Sequence, residues 1–159
     1  MSTDPRLVTM ARRILDENLY VTLGTADTDG NPWVTPVYYT PLDDHDLYWV
    51  SSPTARHSRN LEARPEISAV VFDSTARPGH AEAVYMSARA ERVPDDEVAV
   101  HAPRYAARMP GLRVFDVDEL TGDADLRLYR ARVTEHSVLV RGSDPDYGQG
   151  VDSRLVVVL

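Results

Sequence analysis

Arg56, His57 and Arg59 stand within four positions of a chain whose formal net charge is −8. They follow the turn-forming run Ser51-Ser52-Pro53-Thr54. Cations set that close repel one another unless water or an anion lies among them. A short helix is expected from about Thr54 to Ala63, because Pro65 biases the residue before it away from helical backbone. The N-terminus of that helix would gather free backbone N–H groups, the Ser51 and Ser52 hydroxyls and the positive dipole end. Arg56 adds a planar fork suited to phosphate oxygens, and His57 adds another donor. Leu61 is its only large apolar residue, so hydrophobic burial is not the segment's main purpose. Two readings stand side by side on these residues: a phosphate site, and a solvated, capped helix.

Other constellations say less. Ser51, Ser52 and Ser58 lie near His57, but no nucleophile elbow or third triad member accompanies them, so hydrolysis is not expected. His45, His80, His101 and His136 lack the mutual spacing of metal ligands. Asp43, Asp44 and Asp46 read as turn formers, since calcium-loop spacing is absent. Arg104, Arg108 and Arg113 form a second basic island, open to either an anion or solvent. Trp33, Tyr38, Tyr39, Tyr48 and Trp49 read as barrel core and girdle, or as walls for a planar aromatic ligand.

Composition narrows the classes. A chain of 159 residues with 43% hydrophobic content suits a single domain, 1–159, with a substantial core. The acidic balance argues against nucleic acid as a partner. All 17 basic residues are Arg, and there is no Cys for disulfides or thiolate chemistry. No apolar run approaches the ~20 residues of a membrane span. The N-terminal segment carries charges on both sides of a short apolar pattern, unlike a secretory signal. A cytoplasmic protein with no membrane partner is the expectation.

The elements that must hold these residues are mostly strands. Asp4, Pro5 and the apolar face of Leu7, Met10, Ala11, Ile14 and Leu15 predict a helix ending near Asn18. From Tyr20 the apolar period becomes two: "YVTLGTAD", a turn at Asp29-Gly30, "WVTPVYYTPL", a turn at "DDHD", then "LYWVSS". "EISAVVFDS" and "AEAVYMSARAERV" read as further strands. Pro94 to Glu97 is expected to open a helix running to Met109, with Pro103 breaking or kinking it. "GLRVFDVDELTGDAD" reads as loop with a helical turn. "LRLYRARVTEHSVLVRG" reads as two strands meeting near Glu135-His136, and "RLVVVL" as a last strand. The fold class that follows is mainly β, a small closed or partly closed antiparallel barrel with a few peripheral helices.

In this order, "YVTLGTADTDGNPWVTPVYYT", "LYWVSSPTARHSRNLEARPEISAVVF" and "AVYMSARAERV" resemble the pyridoxamine 5′-phosphate oxidase-like FMN-binding split barrels, a superfamily that includes deazaflavin-dependent reductases. The resemblance implies a six-stranded antiparallel split barrel, a homodimer with cofactor sites at the subunit interface, and a small-molecule substrate. It implies that Arg56 and His57 fall at the family's phosphate-binding pair. Thr35, Pro36 and Val37 fall on the strand beside the flavin ring, and Ser51 and Ser52 near its phosphate and ribityl chain. Pro36 inside a strand then marks an edge or bulge beside a ligand. The sequence also departs from true vitamin B6 oxidases. Thr35 and Thr40 replace basic residues, Ala83 stands where a flavin-contacting Gln is expected, and the C-terminal substrate signature is missing. The expectation is therefore an FMN-binding oxidoreductase other than a vitamin B6 oxidase. The alternatives are a deazaflavin-dependent reductase and a non-catalytic flavin- or haem-binding carrier or stress protein.

Overall fold

The computed structural model describes residues 2–108 and 111–159, so the expected extension of a helix to Met109 lies outside the described residues. The chain begins with α1 (Pro5–Glu17), started by Asp4, whose carboxylate accepts from the Arg6 backbone N–H at 2.9 Å. Its apolar stripe, Leu7, Ala11, Ile14 and Leu15, is buried. The last turn of α1 contains no basic residue. Arg108 arrives from elsewhere and donates to the carbonyls of Leu15 (2.8 Å), Asp16 (3.1 Å), Asn18 (2.7 Å) and Tyr39. A helix C-terminus leaves unpaired carbonyls at the negative end of its dipole, and this guanidinium answers both problems.

The remaining elements are β1 (Tyr20–Ala26), β2 (Pro32–Tyr38), β3 (Thr40–Leu42), β4 (Asp46–Ser51), α2 (Arg56–Ala63), β5 (Glu66–Phe72), β6 (Ala83–Arg92), α3 (Val98–Ala106), a 3₁₀ turn (Val117–Glu119), β7 (Arg127–Val140) and β8 (Ser153–Val157). The strands form one antiparallel sheet ordered β2-β1-β5-β6-β7-β4-β3, with β8 also on β7. The sheet curls around a core that includes Val21, Leu23, Trp49, Val71, Val84, Tyr129 and Val138.

The described residues form eight strands, against the six that the resemblance implied. The predicted strand "WVTPVYYTPL" divides at Tyr39, which is fully buried and donates its hydroxyl to the Leu15 carbonyl at 2.7 Å. That corner lets one chain segment form both edges of the sheet, β2 against β1 and β3 against β4. The C-terminal β8, expected from "RLVVVL", pairs with β7.

Two further expectations are corrected. "LRLYRARVTEHSVLV" is one 14-residue strand, β7. The ladder steps from Ser87↔Glu135 to Ala88↔Val133, so Thr134 is an extra, bulged residue. A bulge shifts the inside–outside alternation and reads as a break in the sequence. The acids Asp95 to Glu97 precede α3 rather than filling its first turn, because the Glu97 N–H closes a turn on the Pro94 carbonyl at 2.9 Å. Pro103 lies inside α3, which ends three residues later at Ala106.

His136 on β7 is buried, and its Nε2 has no hydrogen-bond partner. Burial, with a smaller contribution from His45 at 6.2 Å between ring centroids, pushes it down to about 4, while Asp44 opposes the shift. The unfolded chain, titrating near 6.5, binds this proton more tightly than the folded one. Stability linked to His136 is therefore complete above pH ~6.5 and falls by up to about 3 kcal/mol as pH drops to ~4. Urea denaturation across that window is expected to show the loss, and His136→Leu to flatten it. Arg108→Ala is expected to cost about 1.5–3 kcal/mol in the same assay at neutral pH, the scale of hydrogen bonds to a charged group.

Candidate functional site

Helix α2 packs against the barrel through polar groups. His57, Ser58, Asn60 and Leu61 are its buried residues. Asn60 Nδ2 donates to Thr25 Oγ1 at 2.9 Å, and the Thr25 hydroxyl reaches the Trp33 carbonyl at 3.4 Å. This chain of contacts ties α2 to β1 and β2. Arg56 lies one turn before Asn60 on the same helical face. Its guanidinium carbon stands 4.5 Å from the centroid of the Trp33 indole, and its Nη2 is 3.9 Å from Asp27 Oδ2. Asp27 is also the organiser of the β1–β2 turn. It accepts from the backbone N–H groups of Asp29 (3.0 Å) and Asn31 (2.9 Å), and from the Asn31 side chain. Those bonds, those of Asn31 first, hold its carboxyl below the usual range, with a smaller contribution from Arg56.

The other predicted residues divide between the mouth and the interior. Ser51 ends β4, and its Oγ is 2.8 Å from His57 Nε2. His57 is only 6% exposed, and burial lowers its pKa, so the imidazole is turned into the barrel. Ser52 Oγ pairs with Thr54 Oγ1 at 2.9 Å on the exposed loop leading to α2. On β2, alternate residues Trp33, Thr35 and Val37 share a face opposite the inward Thr25, Leu23 and Val21 of β1. Thr35 Oγ1 is buried without a hydrogen-bond partner. Pro36 faces the other way and is exposed on the edge strand, where its missing N–H leaves no ladder bond unmade. Arg127, which pairs with Ser51 across β4 and β7, is buried and clasps the carbonyls of Gly122, Ala124 and Leu126.

An open, mainly apolar groove of about 650 Å³ runs over this end of the sheet, lined by Trp33, Val34, Gly24, Ser68, Ser87 and Arg89 among others. The expected aromatic wall reduces to Trp33. Tyr39, Tyr48 and Trp49 are fully buried, and Trp49 stacks on Tyr129 at 5.7 Å. The Arg104/Arg108/Arg113 island is taken apart as well. Arg104 pairs with Asp43 at 2.6 Å, Arg108 caps α1, and Arg113 pairs with Glu119. Sequence reasoning passed over Asp27, Thr25 and Asn60. The i,i+4 spacing of Arg56 and Asn60 was the available signal.

A strongly curled antiparallel sheet with a polar helix at its rim is the architecture of a split barrel. The family model for pyridoxamine 5′-phosphate oxidase matches residues 8–138, and the chain belongs to that family. A search of curated proteins finds no match. Among solved structures, the chain is similar to a haem-binding protein from Mycobacterium smegmatis (TM-score 0.69, 24% identity). It covers 97% of this chain and 59% of that one, so the chain spans less than two thirds of that relative. An FAD-binding protein from Mesorhizobium loti aligns at TM-score 0.63 and 21% identity, over 82% of this chain and 91% of that one. An F420 reductase aligns at TM-score 0.57 and 23% identity, over 79% and 94%. These likenesses establish a common fold. No helix among the described residues is long and apolar enough to cross a membrane.

Asn60→Ala removes the donor that joins α2 to Thr25 and leaves a buried hydroxyl short of a partner. The expected loss is about 1–2 kcal/mol in urea denaturation, with faster proteolytic nicking near α2 in the native state.

Proposed function

We propose that this protein is an FMN-binding oxidoreductase of the pyridoxamine 5′-phosphate oxidase-like family, working on a small-molecule substrate and distinct from the vitamin B6 oxidases. The observation that carries the reading is Arg56, held over Trp33 at the N-terminal end of a helix. That placement supplies a forked cation, free backbone N–H groups and a dipole of the sign a phosphate requires. The unpartnered Thr35 hydroxyl on the same face of β2 is a polar group suited to the edge of a flavin ring, and the donors present fit the cofactor.

In this reading Arg56 and the turn Ser52–Thr54 receive the phosphate. His57 contributes by holding Ser51 at the end of β4. Thr35, Pro36 and Val37 form the strand beside the ring. FMN would supply hydride or electron transfer when bound; the chain's part is to anchor, orient and exclude water. Trp33 and Val34, both exposed apolar side chains on an edge strand, suit burial by a second copy, in keeping with a homodimer whose sites lie at the subunit interface.

A deazaflavin coenzyme is the second reading, since the same ring and phosphate chemistry applies. A haem-binding carrier draws less support, because no histidine lines the groove among the described residues.

Fluorescence titration of wild type and Arg56→Ala with FMN, at several salt concentrations, tests the proposal. Wild type is expected to bind, and the variant to bind about 10- to 100-fold more weakly, the equivalent of about 1.5–3 kcal/mol for a charge-assisted contact. Equal affinities would remove the anchor.

A further inference from the structure

The Arg56 guanidinium occupies a defined place although its only carboxylate contact is 3.9 Å away and its side chain is 44% exposed. Its position has two causes that the phosphate reading does not itself require. One is the indole of Trp33, 39% exposed, over which the guanidinium lies at 4.5 Å. A flat cation on an aromatic face keeps its N–H edge free for other partners while losing rotamer freedom. The other is Asp27 Oδ2, which meets that N–H edge. Both are held by bonds unrelated to Arg56. The Trp33 backbone is tied through Thr25 to Asn60 of the same helix, and Asp27 is fixed by the backbone of its own turn.

We infer that Trp33 is the positioning residue of the anion site, holding the Arg56 guanidinium on its ring, and that Asp27 is a built-in competitor that an incoming phosphate displaces. The inference rests on the phosphate-anchoring reading and adds two residues to it. Trp33 acts on the cation rather than on the ring of the ligand. Asp27 tempers anion affinity, so that the site prefers a phosphate dianion over weaker monoanions: only a strongly charged group outcompetes a carboxylate already in place.

Paired titrations with FMN and riboflavin, which share a ring and differ in the phosphate, separate the possibilities. Trp33→Leu is expected to weaken FMN about fivefold, the scale of an exposed cation–π contact, and to leave riboflavin unchanged; Trp33→Phe restores most of the FMN affinity. Asp27→Asn retains an oxygen acceptor for the turn and is expected to tighten FMN about threefold without affecting riboflavin. Equal loss of FMN and riboflavin in Trp33→Leu would make Trp33 a ring contact and overturn the inference. Unchanged FMN affinity in either Trp33→Leu or Asp27→Asn would overturn the part assigned to that residue. These failures are distinct from failure of the anchoring reading, which would appear as no FMN binding by wild type or no effect of Arg56→Ala.

Discussion

The long strand β7 is the member on which the rest of this structure depends. Its 14 residues pair with β4 at one end, with β6 along the middle and with β8 at the other end. β6 takes one edge of β7, and β4 and β8 share the other in succession. The bulge at Thr134 increases the local twist, and the strand passes from one side of the barrel to the other. On its inward face Tyr129 stacks on Trp49 with an interplanar angle of 12°, and Arg127 sits opposite Ser51. The end of β4, and with it the approach to α2, is therefore placed by β7.

The two ends of the curled sheet obey a second constraint. A sheet with two free edges exposes two rows of unpaired backbone groups. Here one segment makes both edges, turning the corner at Tyr39 between β2 and β3. The corner is pinned from α1 by the Leu15 carbonyl and from beyond α3 by Arg108, which bonds the carbonyls of both Leu15 and Tyr39. Arg108 thus acts as a structural cation, and Arg104, four positions earlier within α3, is paired separately with Asp43. Two arginines four positions apart serve different ends of the fold.

The helix at the rim is held differently from the core. α2 buries a hydrogen-bonded face, with Asn60 on Thr25 and His57 on Ser51, and only Leu61 as a large apolar anchor. Polar docking of this kind is directional, so it fixes the rotation of the helix as well as its position. That rotation decides that Arg56 points to Trp33 and Asp27 while His57 points inward. The adjacent Arg56 and His57, which together suggested one anion site, are thereby turned to different partners, Trp33 and Ser51.

By itself the sequence determined the class of fold and most of its elements. Periodicity and capping located α1, β1, β5, β6 and β8 close to their observed bounds, because burial of one face imposes a local period that the residues must show. It also marked Arg56 and the turn before it, since a cationic stretch in an acidic chain is visible without coordinates. What only the tertiary structure decided was pairing and direction: the corner at Tyr39, the bulge at Thr134, the inward turn of His57, and the partners of Arg104, Arg108 and Arg113. Those depend on contacts between residues such as Arg108 and Leu15, 93 positions apart, or Asn60 and Thr25, 35 apart. Local pattern carries the period of an element, whereas the partner of a long polar side chain is set by whichever unpaired group the curled sheet brings within its reach.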